Sequence, residues 1–152
     1  MRLSKVLVAM LVIVVSASFV NCANQNKASG FKTIHFDYDK SYVRSDMVPL
    51  MDNNVAAMKY RTTQASERSG SGRRKSAVGN IVVEGHCDER GSNEYNYALG
   101  HRRSESVKSY MVTHGISPER VRTTSLGEDK PVCSDHNEEC WWKNRRAEFN
   151  RD

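Results

Sequence analysis

The stretch 84–103 concentrates side chains that can recognise charge: Glu84-Gly85-His86-Cys87-Asp88-Glu89-Arg90-Gly91, then Asn96, Leu99 and Arg103. Asp88 follows an apolar, β-branched run, and Gly91-Ser92 open a helical pattern behind it. An acid at the carboxyl end of a strand, in the loop entering a helix, sits where open α/β sheets usually take ligands. Arg103 comes seven residues after Asn96, so the two share a helical stripe with Leu99 between them. Loop acid and helix guanidinium can therefore converge, and two opposite charges on a rigid frame match a zwitterion. Arg103 would clamp a carboxylate through paired N–H donors. Asp88 would accept from an ammonium, and the Asn96 amide could supplement either. The competing possibility is a plain Asp88–Arg103 ion pair, since buried charges are usually paired.

These residues need strands and helices to hold them. The segment 31–37 alternates as a strand, with Phe31, Thr33 and His35 on one side and Ile34 and Phe36 on the other. Ser45 or Asp46 can cap a helix running to about Tyr60, with Pro49 in its first turn, where a missing N–H costs little. Met47, Met51, Val55 and Met58 recur at helical spacing and should face the core. The segment 61–80 is rich in Ser, Gly, Arg and Lys, which reads as a flexible surface loop. Ile81-Val82-Val83-Glu84-Gly85 is a second strand. A long helix spans about 93–113, burying Leu99, Val107, Tyr110 and Met111, and Gly115 ends it in a left-handed cap. Strands at 121–126 and around 147–149 follow, separated by a loop holding Cys133 and Cys140. This order predicts an α/β sandwich, with helices on one face of a mixed four-stranded sheet.

The beginning of the chain is organised differently. Arg2 and Lys5 precede an apolar run at 6–15, then small residues at 16–18, the pattern of an export signal over 1–21. The run is short for a membrane span; a retained N-terminal anchor helix is the competing reading. Cys22 ends this segment, followed by a short polar linker to residue 30. The formal charge is +5, to which Arg2 and Lys5 contribute, and no basic face interleaved with aromatics argues for nucleic acid.

Export to an oxidising compartment favours a Cys133–Cys140 disulfide. The alternative is zinc on Cys133, His136 and Cys140, for which a fourth ligand is not evident. Cys87 remains as a small buried thiol. A catalytic thiolate would need His86 or His101, but adjacent strand residues point to opposite faces, so His86 is poorly placed. A cell-wall hydrolase would need paired carboxylates, for which Glu84, Asp88 and Glu89 are the candidates.

Five separated motifs carry a family likeness: Ile34-His35-Phe36-Asp37, VEGHCDERGSNEYN at 83–96, LGHRRSESVKSYM at 99–111, GISPERV at 115–121 and KNRRAEF at 143–149. Together they resemble the OmpA-like peptidoglycan-binding domain over 31–152, and within it the peptidoglycan-associated lipoproteins. Cys87 stands where the family usually has Ala or Thr, and 61–80 is longer than usual. The resemblance implies a non-enzymatic domain without cofactor that binds peptidoglycan non-covalently through meso-diaminopimelate. Asp88 and Arg103 would grip the zwitterion, with Asn96, Leu99 and backbone N–H groups of Phe36 and Asp37 beside them and Arg145 assisting. Cys22 resembles the acylated cysteine of a lipobox, although Asn21 replaces the usual small residue and ordinary cleavage near Ala17 is the alternative. The implied location is the outer membrane, lipid-anchored and facing the periplasm, with TolB and other Tol proteins as partners. A non-lipidated or differently anchored wall-binding protein is the other reading.

Overall fold

The structure, a computed structural model, describes residues 30–68 and 80–152. The expected export signal over 1–21, Cys22, the expected linker up to residue 29 and residues 69–79 lie outside them. The elements are β1 (Ile34–His35), α1 (Val48–Arg68), β2 (Ile81–His86), α2 (Asn93–Thr113), β3 (Val121–Gly127), α3 (Glu138–Asn144) and β4 (Arg146–Arg151). They build the expected α/β architecture around one mixed four-stranded sheet of order β1-β4-β2-β3. β2 and β3 are parallel, and α2 supplies the crossover that parallel neighbours require. β4 runs antiparallel between β1 and β2, placing Val83 beside Phe149 and Glu84 beside Glu148.

Pleating sorts these strands into two faces. Ile81, Val83, Val121, Ala147 and Phe149 meet Met51, Val55 and Met58 of α1 and Val107 and Met111 of α2 in one apolar cluster. The opposite face carries Glu84, Glu148 and Asn150, an arrangement that antiparallel pairing permits because that side can stay wet. Burial, and then the charge of Glu148, pushes the Glu84 carboxyl above its ordinary value.

Local chemistry explains where α2 starts and stops. The Ser92 hydroxyl accepts from the Tyr95 N–H at 3.2 Å, a side-chain N-cap. At the other end Gly115 has φ +91°, and the N–H groups of Ile116 and Gly115 reach back to the carbonyls of Met111 and Val112. That pair of bonds is the Schellman arrangement, which glycine enters without steric cost.

Four expectations need correction. Neither Ser45 nor Asp46 caps α1: both lie within a 3-10 turn, Ser45–Met47, and the Asp46 carboxylate instead binds the Arg44 guanidinium at 2.9 and 3.0 Å. The helix continues to Arg68, so the segment 61–68 is helical rather than loop. The ladder of the first strand shrinks to two residues, and freedom from strict pleating lets Phe31 join the core, stacked on Phe149 at 5.2 Å. The loop before β4 also contains helix α3, capped by the Asn137 side chain.

Candidate functional site

Two glycines decide how close α2 comes to the sheet. A Cβ at Gly85 would lie 1.8 Å from the Gly100 carbonyl oxygen, and one at Gly100 would lie 2.3 Å from Ser125 Oγ. Backbone therefore touches backbone at this crossing, and Arg103, three residues further along α2, is carried under the end of β2. It is fully buried, at 0% exposure. Its Nε donates to the Lys40 carbonyl at 2.9 Å, and Nη2 donates to the Asp37 carbonyl at 3.1 Å. Nη1 donates to the His86 carbonyl at 2.8 Å and to Cys87 Sγ at 3.3 Å, while the Phe36 ring lies under the guanidinium. All these acceptors are neutral, and no ion pair among the described residues uses Arg103. Burial holds its pKa below the ordinary arginine value, although arginine remains charged in proteins.

The facing wall is built from charge. Asp88 leaves the end of β2, and its Oδ1 accepts from the Arg90 backbone N–H and Nε, each at 3.1 Å. Oδ2 accepts from Arg90 Nη2 at 2.7 Å and from Arg145 Nη1 at 3.1 Å. Burial would raise the Asp88 carboxyl, but the hydrogen bonds from Arg90 and Arg145 outweigh it and hold it below the usual carboxylate range. Arg145, just beyond α3, also donates to the Phe36 carbonyl at 3.1 Å and to Glu138. The Arg90 guanidinium lies 4.1 Å from each of the Tyr38 and Trp141 rings, a cation between two aromatic faces.

Asp88, Asn96, Leu99, Arg103 and Arg145 line one open pocket of about 160 Å³. The Asp88–Arg103 ion pair is not formed, because Arg90 and Arg145 take Asp88 instead. Phe36 and Asp37 do not line the pocket. The Phe36 N–H donates to the Arg145 carbonyl at 3.0 Å, and the Asp37 carboxylate pairs with Arg44. The Asn96 amide braces the loop rather than standing free, donating to the carbonyls of Asp88 and Arg90 and to Glu128. Sequence reasoning overlooked Arg90, Tyr38, Asp39 and Tyr95, which also line the pocket. Arg90 had a readable signal, being two residues after the acid whose side chain it binds. Tyr95 reaches Asp39 across a separation of 56 residues, a contact only the fold creates. Chemically, the pocket offers a buried, neutral-ligated guanidinium at one wall and a carboxylate at the other.

The other chemistries do not assemble. Glu84 points to the sheet face opposite Gly85 and α2, and Glu89 binds His136 and Trp141. A carboxylate held below its usual range by two arginines is also a poor proton donor. Cys87 is buried, with its thiol pushed up to about 11 by burial, the reverse of a reactive thiolate. Cys133 and Cys140 form a disulfide, which occupies both sulfurs of the zinc alternative, and His136 turns to Glu89.

The OmpA family pattern matches residues 56–145. The chain is 38% identical over 119 residues to the peptidoglycan-associated lipoprotein of Pseudomonas aeruginosa, covering 78% of this chain and 61% of that protein. It is 36% identical to the one from Pasteurella multocida, over 81% of this chain and 72% of that protein. The crystal structure of the peptidoglycan-associated lipoprotein from Burkholderia pseudomallei superposes with a TM-score of 0.66 at 29% identity, covering 80% of this chain and 90% of that one. The chain spans about three fifths of the length of the first curated relatives it matches. Sequence and architecture agree over most of the folded residues: this chain belongs to the OmpA family.

Proposed function

We propose that this domain binds peptidoglycan non-covalently, taking the zwitterionic end of meso-diaminopimelate into the pocket between Arg103 and Asp88. The observation that carries the reading is the fully buried Arg103 guanidinium with only neutral acceptors. Buried charge without a counter-ion is costly, and a ligand carboxylate would supply what the protein omits. Asp88 and the neighbouring Asp39 would receive the ammonium. Leu99 gives the aliphatic part of the side chain an apolar wall. The names of the similar proteins, peptidoglycan-associated lipoproteins, support the same ligand.

In this reading the domain fastens an outer membrane to the wall from the periplasmic side, through a lipid on Cys22 after removal of residues 1–21. TolB and other Tol proteins are the partners that the likeness to this lipoprotein group brings with it. Mass spectrometry of the native protein tests the anchor: acylated Cys22 at the mature N-terminus is the expected finding, and an unmodified Cys22 removes it.

Retention on purified sacculi tests the site. Arg103→Ala should cost about 2–5 kcal/mol of binding, as truncating one member of a buried charge pair does. Retention equal to that of the unaltered protein would refute the assignment.

A further inference from the structure

Asp88, the buried acid of the pocket, is already saturated. A carboxylate offers about four acceptor positions, and Asp88 receives the Arg90 backbone N–H, Arg90 Nε, Arg90 Nη2 and Arg145 Nη1. An arriving ammonium finds no seat on Asp88 itself unless one of these donors leaves. The backbone N–H is fixed by its place two residues on. Arg145 is fixed too: its side chain is 3% exposed and is tied to the Phe36 carbonyl as well.

The Arg90 side chain differs on each count. It is 29% exposed, and its guanidinium donates to no backbone carbonyl among the described residues. It also has an alternative partner outside the pocket, since Nη2 lies 3.5 Å from Glu138 Oε2 and that side chain is 63% exposed. Tyr38 and Trp141 grip its two faces, which favours the docked position without making it obligatory.

We propose that Arg90 is a displaceable counter-ion. It occupies the ammonium seat on Asp88 in the free protein, swings toward Glu138 when an amine-bearing wall peptide enters, and thereby sets both affinity and selectivity for the amine. The inference rests on the binding role proposed for the pocket. A ligand presenting only a carboxylate to Arg103 has no need to move Arg90, whereas one presenting an ammonium competes with it directly. Apparent affinity is then reduced by the fraction of molecules in which Arg90 is docked.

Calorimetric titration of the full chain tests this, with a wall tripeptide ending in meso-diaminopimelate and the same peptide acetylated on the side-chain amine. Arg90→Ala should bind the free-amine peptide about tenfold tighter than the unaltered protein does, because the competent fraction rises toward one. With the acetylated peptide this gain should be absent, because no ammonium competes for Asp88. Arg90→Lys should fall between, since a point charge can sit on Asp88 but cannot fork onto both oxygens or lie flat between rings. Should Arg90→Ala fail to give a native melting transition, the gain in Arg90→Lys decides the matter. Equal or weaker free-amine binding by these variants, with Arg103→Ala still weakening binding, overturns the counter-ion role and leaves the ligand reading standing. Arg103→Ala binding like the unaltered protein overturns the ligand reading and, with it, this one.

Discussion

Arg103 and Arg145 line one pocket, and each is almost wholly buried, yet they are satisfied in opposite ways. Arg145 is neutralised inside the protein by Asp88 and Glu138. Arg103 meets three carbonyl oxygens and a thiol, with no carboxylate in salt-bridge range among the described residues. The first arrangement closes a circuit within the fold and stabilises the loop wall. The second leaves a buried charge whose hydrogen-bond partners are all neutral at the lining of an opening. Burial alone therefore does not distinguish the two arginines; the chemistry of their acceptors does.

The largest expected effect separates the two walls by stability. Arg145→Met should destabilise the domain by about 3 kcal/mol, at the low end for breaking a buried ion pair, because Arg90 still pairs Asp88. Arg103→Met should cost less, since methionine removes an uncompensated buried charge while losing its carbonyl contacts. Urea unfolding of both variants checks this. A larger loss for Arg103→Met would mean that its role is structural and the contrast is misdrawn.

The next test moves the helix wall as a body. Gly100→Ala would set a methyl group against Ser125 Oγ and, at 2.8 Å, against the Gly85 carbonyl oxygen. Overpacking of this kind costs about 1–3 kcal/mol, and the push should also carry Arg103 off its carbonyls. Thermal melting together with sacculus retention should show both losses. Full retention with a lowered melting temperature would show that the Arg103 seat tolerates a displaced helix.

The smallest effect belongs to the outer edge of the loop wall. The hydrogen bond to Glu89 raises the His136 pKa above its ordinary value. A raised folded-state pKa contributes stability that is present below the unfolded value and lost as pH climbs through the folded one. Both side chains are exposed, so the effect on stability is slight. Proton NMR titration should place His136 above an ordinary histidine, and Glu89→Gln should return it. An unchanged titration in that variant would detach His136 from the wall.

Much of the fold was legible because its signals are local. Apolar periodicity located α2 and β3, Ser92 and Gly115 marked the ends of α2, and a run of β-branched residues marked β2. The missed features were local competitions with close outcomes. Helix propensity carried α1 on to Arg68 despite the polar composition there, and Asp46 preferred the Arg44 guanidinium to a helix cap.

The site was legible in membership more than in wiring. Spacing brought Asp88, Asn96, Leu99 and Arg103 to one pocket, because strand end, loop and helical stripe follow from residue order. Which donor takes which acceptor was decided by tertiary structure. Asp88 chose Arg90 and Arg145 over Arg103 because α3 and β4 deliver Arg145 from 57 residues away and Arg90 lies in the same turn. Arg103 was left to neutral acceptors because the backbone contact of Gly85 with Gly100 sinks it beneath the carbonyls of Asp37, Lys40 and His86. The order of elements and the residues that share the pocket are written into the residue order, since both follow from periodicities of a few residues. Only the packed structure decided the pairing of charges, since short-range hydrogen bonds depend on distances that no sequence interval specifies.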